Sequence, residues 1–230
     1  MFNMENCDTH SAADFGRYLF SAYSAGLRSF ENAAQLITDA VYDEFRNGDG
    51  SRVFSLVRVF RLAHVTELAS DLVDLAADEA EYVLVLAGSR GDEPAWNGRH
   101  ASRNHRVVSP THASPMFRAA LEQLGLNWGR VSDQRALKTS EQAWSTRSFF
   151  VADVQGCSLI PDQATFVERY GIYSLIGLGG AFIDGNGALL FAFSNVPVDA
   201  TCERNFAQLS PFLLTVLATY NERGVIWCTD

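Results

Sequence analysis

Residues 170–193, YGIYSLIGLGGAFIDGNGALLFAF, carry six glycines (Gly171, Gly177, Gly179, Gly180, Gly185 and Gly187) in a run otherwise made of sheet-forming residues. A phosphate-cradling loop and a bent β-hairpin both use glycine this way, and they imply different proteins. A dinucleotide fingerprint requires a third glycine three residues after the second, then a helix. From Gly177 and Gly179 that place falls to Phe182, and residues 181–183 remain β-like. A Walker loop requires Gly-Lys-Ser/Thr after a four-residue gap. The gap from Gly180 to Gly185 has that length, but Asn186 stands where the lysine belongs. The hairpin asks only for what is present: Asp184-Gly185 and Asn186-Gly187 suit tight β-turns, with IYSLIGLGGAFI before them and ALLFAF after. Gly177, Gly179 and Gly180 then lie inside a strand, where glycine marks a bulge or the close approach of a backbone or ligand.

The elements around the hairpin alternate between helix and strand. Phe15, Tyr18, Leu19 and Ala22 predict a short helix over 11–25, and Phe30, Ala34, Ile37, Val41 and Phe45 predict a second one with Ser29 as N-cap. In residues 51–63, Val53, Val57 and Val59 take one face and Phe54, Leu56 and Phe60 the other. A strand apolar on both faces belongs in the middle of a sheet covered on both sides. A third helix is expected over 66–80, with Leu68, Leu72 and Leu75 inward and an acidic stripe of Glu67, Asp71, Asp74, Asp78 and Glu81 outward. Strands over 82–88 and 146–154, a helix over 114–126 and a short helix near 164–168 follow, while 127–145 is polar and unpatterned. The last helix is expected from Asp199 to Tyr220, kinked at Pro211, with a stripe of Phe206, Leu209, Leu213, Val216 and Tyr220. This order gives an α+β fold with a largely antiparallel central sheet flanked by helices.

The totals narrow the function classes. With 47% apolar and 20% charged residues, the 230-residue chain has the composition of a globular protein large enough for a substantial core. A net charge of −9 argues against nucleic acid and against an anionic membrane surface as partners. No apolar run reaches the ~20 residues that span a bilayer, and MFNMENCDTH has neither the basic nor the apolar region of a secretory leader. The four cysteines (Cys7, Cys157, Cys202 and Cys228) have no paired spacing and read as reduced thiols, so a cytoplasmic location is expected.

Phe166, Val167, Tyr170, Gly171, Ile172, Ser174, Gly177, Gly179 and Gly180, followed by Phe193-Ser194 and Val196-Pro197, resemble a motif of GAF-type sensory domains in bacterial signalling proteins associated with histidine kinases. Upstream, EPAWNGRHASRNHRVV (93–108) resembles the same group through Trp96, Asn97, Arg99, Ser102 and His105. The resemblance spans about residues 29–220. It implies a GAF/PAS-like sheet with the N- and C-terminal helices packed together. The division it suggests is an N-terminal helical extension at 1–28, the GAF-like domain at 29–222 and a tail at 223–230. No kinase, PAS or DNA-binding module accompanies it in these residues, which puts direct signal output by the chain in doubt and makes a signalling protein a candidate partner. Fold alone does not fix a ligand.

On that basis the expected function is sensing of a small molecule, without catalysis by the chain itself. The pocket is expected beneath the 90–115 segment and above the strands around 171–183. Trp96, Asn97, Arg99, Ser102 and His105 would supply its polar contacts, and Tyr170, Tyr173 and Phe182 its apolar walls, with close approach at Gly179 and Gly180. The stripe from Phe206 to Tyr220 suits either a homodimer of terminal helices or packing on the chain's own sheet. A second reading is a protein–protein adaptor with a degenerate pocket, working through the acidic 67–81 helix. A third is an enzyme or redox sensor using Cys157, which follows a strand, or His105. The spacing of His100, His105 and His112 suits no metal site. Haem would fit a Phe-rich pocket with one of these histidines, but neither a haem motif nor a second ligand is visible.

Overall fold

The computed structural model of the chain describes residues 2–3, 9–23, 27–76, 80–100, 102, 105–126, 128 and 147–228. The two-faced apolar run becomes β3 (Phe54–His64), buried along almost its whole length. It pairs antiparallel with β4 (Tyr82–Gly91) on one side and with β8 (Gly187–Ser194) on the other. The glycine-rich stretch forms the predicted hairpin: β7 (Ser174–Ala181) runs in register against β8 from Ser174 opposite Ser194 to Ala181 opposite Gly187. Phe182 N–H donates to Asn186 O at 2.7 Å to close the turn, and Gly185 has a positive φ of +94°. At Gly179 a Cβ would lie 2.4 Å from the Ala188 carbonyl oxygen, so this strand glycine admits a neighbouring backbone. Short edge strands β5 (Val107–Val108) and β6 (Ser148–Val151) complete a six-stranded sheet ordered β5-β4-β3-β8-β7-β6, every pairing antiparallel. A separate parallel pair joins β1 (Phe2–Asn3) to β2 (Phe45–Arg46).

Helices cover one face. α1 (Thr9–Tyr23) and α2 (Phe30–Glu44) precede the sheet, and α4 (Ala200–Ala207) and α5 (Ser210–Glu222) follow it. Their apolar sides share one core with Val57, Val59, Ile176 and Leu190 of the sheet, so the N- and C-terminal helices are packed together. Ser29 caps α2, its Oγ accepting from Asn32 N–H at 3.1 Å. α2 lies so close to β4 that a Cβ on Gly88 would come within 2.6 Å of the Ala34 carbonyl group. Phe206, Leu209, Leu213, Val216 and Tyr220 are all buried within the chain's own core. Between α4 and α5 the expected kink is a break: Pro211 sits in the first turn of α5, where a missing N–H costs no hydrogen bond.

Two expectations are corrected. The described residues of 66–80 do not form an α-helix: 3₁₀ turns at Val65–Glu67 and Val73–Ala76 flank an irregular stretch, and Asp78 lies outside the described residues. The acidic groups are engaged singly instead. Glu67 pairs with Arg61, Asp71 with Arg99 and Arg106, and Glu81 faces His64. These separate partners, and Trp227 Nε1 donating to Glu67 O at 2.8 Å, hold the segment in turns. Among the described residues these carboxylates do not share the face of one continuous helix. Phe54 also changes sides. A bulge between Phe54 and Leu56 in the β3–β8 ladder rotates it toward the helices, where its ring lies 5.4 Å from that of Phe206.

Candidate ligand cavity

The opposite face of the sheet is covered by α3 (Pro115–Gln123) and by the irregular segment 152–173, which together pack on Leu56, Phe60, Leu189, Phe191 and Phe193. The packing is incomplete toward the β3–β8 centre, leaving a cavity of about 300 Å³. That lies at the small end of the range, roughly 300–1,000 Å³, that small-molecule sites occupy. Leu56, Arg58, Phe60 and Phe191 line its interior, Met116 and Phe117 one side, and Trp96 and Tyr170 another. Its rim is formed by His105, Pro161, Asp162 and Thr165, all exposed.

The aromatic wall is tightly assembled. Trp96 and Tyr170 have ring centroids 4.5 Å apart, Phe166 lies 5.8 Å from Trp96, and Phe193 lies 5.1 Å from Phe166. These are separations at which edge-to-face rings attract. Trp96 ends a 3₁₀ turn opened by Pro94, and its carbonyl accepts from Ser89 Oγ at 2.5 Å. Gly91 makes room for the indole, since a Cβ there would come within 2.8 Å of it. The other wall is carried by a single π-helical turn, Gln163–Glu168, an unusual element that recurs at functional sites. Gln163 fastens the loop before it. Its Nε2 is shared among the carbonyls of Val154, Cys157 and Ile160 at 3.1, 3.2 and 2.8 Å, and its Oε1 accepts from Gly156 N–H at 2.8 Å.

Arg58 is the charged group at the bottom of the cavity, and the residue is 8% exposed. Its Nη2 donates to Ser102 Oγ at 3.0 Å, and its Nη1 lies 3.3 Å from His105 Nδ1. Because a guanidinium only donates, Nδ1 accepts, which requires the neutral imidazole with its proton on Nε2. His105 adopts a positive φ of 62° and lies 5.8 Å from the Phe117 ring. Although the residue as a whole is exposed, desolvation of its imidazole, then the nearby Arg58 charge, lower its pKa from the ordinary value, with Asp162 acting in the opposite sense. Burial also pulls Arg58 down to about 10, still protonated at neutral pH. Arg58 Nε has no hydrogen-bond partner, and among the described residues no carboxylate pairs with this guanidinium.

The residues singled out from the sequence divide in two. Trp96, His105 and Tyr170 line the cavity, and Ser102 reaches it through Arg58. Arg99 lies elsewhere: it is buried against Glu31 at 2.7 Å and Asp71 at 3.1 Å and stacks over Trp227. Burial disfavours the charge on Asp71, but Arg99 and Arg106 outweigh it and hold the carboxyl below its usual range. Asn97 Oδ1 accepts from Gly91 N–H at 3.0 Å and so fixes the Trp96 turn. Phe182 packs on Phe30 on the helical face, Tyr173 is exposed, and Gly179 and Gly180 lie in β7 away from the cavity. Cys157 is half-buried, its backbone held by Val154 and Gln163. Among the described residues no group of three or more His, Cys, Asp or Glu side chains is placed to hold a metal.

Arg58 was not singled out by the sequence reading, although the signal is present. It is a lone charge between Leu56 and Phe60 on a strand that the pattern assigns to the sheet centre. A charge on a face expected to be covered needs a partner or a purpose.

No family model matches the chain, and no curated protein matches it. Among solved structures it is similar to the crystal structure of the GAF domain from an Acinetobacter phosphoenolpyruvate-protein phosphotransferase, with 12% identity and a TM-score of 0.48, over 95% of this chain and 97% of that one. No helix among the described residues is long and apolar enough to cross a membrane.

Proposed function

We propose that this chain is a small-molecule-sensing regulatory domain of GAF-like type, serving bacterial signal transduction without catalysis of its own. The cavity carries the reading. It combines a volume of about 300 Å³, an apolar and aromatic lining, and a few convergent polar groups, which is the usual composition of a small-molecule site. The resemblance in sequence supports it, since Trp96, Ser102, His105 and Tyr170 from two distant motifs converge there. A ligand would touch β3, β8, α3 and the π-helical turn together. Any state in which these four fit it better would gain population on binding, and a partner protein would read that shift.

Ligand-observed NMR with a library of neutral and anionic fragments tests this on the full chain. We expect binders that are displaced from one common site and weakened by Trp96→Leu. Failure of every fragment to bind, with amides at 56–60 and 191–193 exchanging as slowly as the rest of the core, would overturn the reading.

A further inference from the structure

Resting on that reading, we infer that the cavity takes a small monoanionic carboxylate with an aromatic or similarly planar apolar body, its head on Arg58 and its body against Trp96, Phe166 and Tyr170. Three arginines are buried among the described residues, and their surroundings differ. Arg61 meets Glu67 at 2.7 Å, and Arg99 meets Glu31 and Asp71. Among the described residues Arg58 meets a hydroxyl and a neutral imidazole and no carboxylate. A buried charge without a counter-charge carries an uncompensated desolvation penalty, and the cavity opens beside this one. An anion entering there supplies the missing partner.

The class of anion follows from the neighbours. A guanidinium edge presents two parallel N–H groups that match a carboxylate fork. The Ser102 hydroxyl lies at the same guanidinium and adds a third polar group. One guanidinium beside a neutral His105 balances one negative charge, and Asp162 at the rim opposes a second. A cation would meet Arg58 directly, and a neutral ligand would leave its charge as it is. The edge-to-face wall of Trp96, Phe166 and Tyr170 favours a flat body over a branched aliphatic one.

Calorimetric titration of the full chain with phenylacetate, phenylacetamide and inorganic phosphate tests the assignment. Because hydrogen bonds to a charged group are worth more than neutral ones, phenylacetate should bind about ten- to a hundred-fold more tightly than the amide. Arg58→Gln should erase that difference, and Trp96→Leu should weaken acid and amide alike. If Arg58→Gln fails to fold, Arg58→Lys keeps the charge without the fork and should still weaken the acid about tenfold. Equal affinity for acid and amide would overturn the carboxylate assignment while leaving the cavity as a binding site. Tighter binding of phosphate than of phenylacetate would overturn it too. Absence of binding by these probes, with neutral fragments still binding, would again remove only the carboxylate; absence of all binding would remove the sensing function with it.

Discussion

Arg58 and Arg61 lie three positions apart in β3, on opposite faces of the sheet, and both are buried, yet only Arg61 meets a carboxylate among the described residues. Arg61 donates to Asn221 Oδ1 at 2.9 Å, pairs with Glu67 and lies over the Phe30 ring. Removing a partner from a buried pair strands a charge, whereas removing an uncompensated charge strands only neutral groups, here the Ser102 hydroxyl and the His105 imidazole. Glu67→Ala should therefore cost about 1–3 kcal/mol, at the low end because the Glu67 side chain is partly exposed. Arg58→Met in the ligand-free chain should fall between neutral and about 1 kcal/mol stabilising. Urea unfolding midpoints at unchanged slope measure both. A larger loss from Arg58→Met than from Glu67→Ala would mean that Arg58 already has a counter-charge.

The two arginines also mark where sequence and structure part. Features with a period were legible: the two-faced strand, the Asp-Gly/Asn-Gly hairpin and the Ser29 cap follow from local chemistry that tertiary contacts leave in place. One-residue irregularities were not. The bulge at Phe54–Leu56 reverses facing without any compositional mark, and Phe54 moves to the helical core. The acidic stripe at 67–81 has helical spacing, but its carboxylates bind arginines and a histidine on separate elements, and those contacts override the local pattern. Much of the cavity was out of reach for a related reason. Asp162 and Thr165 come from irregular backbone around the π-helical turn, where no spacing rule says which way a side chain points. Arg58 was legible in principle, as the odd residue in an apolar row.

Gly88 should not tolerate a side chain. Its added Cβ would meet the backbone of Ala34 and Gln35 at 2.6–2.8 Å, and backbone cannot rotate aside as a flexible side chain can. Gly88→Ala should push α2 off β4 and lower stability by about 1–3 kcal/mol, the usual cost of overpacking. Thermal unfolding followed by circular dichroism checks this. An unchanged midpoint would mean that α2 is free to shift on the sheet.

Gln163 ties down the loop that leads into the cavity wall. Gln163→Leu has nearly the same shape but leaves the carbonyls of Val154, Cys157 and Ile160 and the Gly156 N–H without that partner. At about 1 kcal/mol per net hydrogen bond, with some replaced by water, a loss of roughly 1–3 kcal/mol is expected. Hydrogen exchange should localise it, accelerating Gly156 more than amides in β3. Uniform acceleration across the sheet would indicate global loosening in place of a local clamp.

His105 gives the cavity a pH dependence of definite sign. Among the described residues the charged groups that act on it are Arg58 from β3 and Asp162 from the loop at 160–163, and α3 contributes the Phe117 ring. Burial and Arg58 set its folded pKa below that of the unfolded chain, about 6.5. Above that value the group is neutral in both states and adds no pH dependence. As pH falls through about 6.5 toward the lowered folded value, the unfolded state takes up the proton first and stability declines. His105→Asn keeps an acceptor for Arg58 and tolerates the positive φ of 62°, so it should retain most of the fold while reducing the stability difference between pH 7.5 and pH 5.5. A monoanion at Arg58 offsets the positive field at His105 and should raise its pKa, so binding near pH 6 should take up a fraction of a proton. Titrations in two buffers of different ionisation enthalpy read that uptake. Proton release on binding, or uptake that persists in His105→Asn, would show that another group carries the coupling.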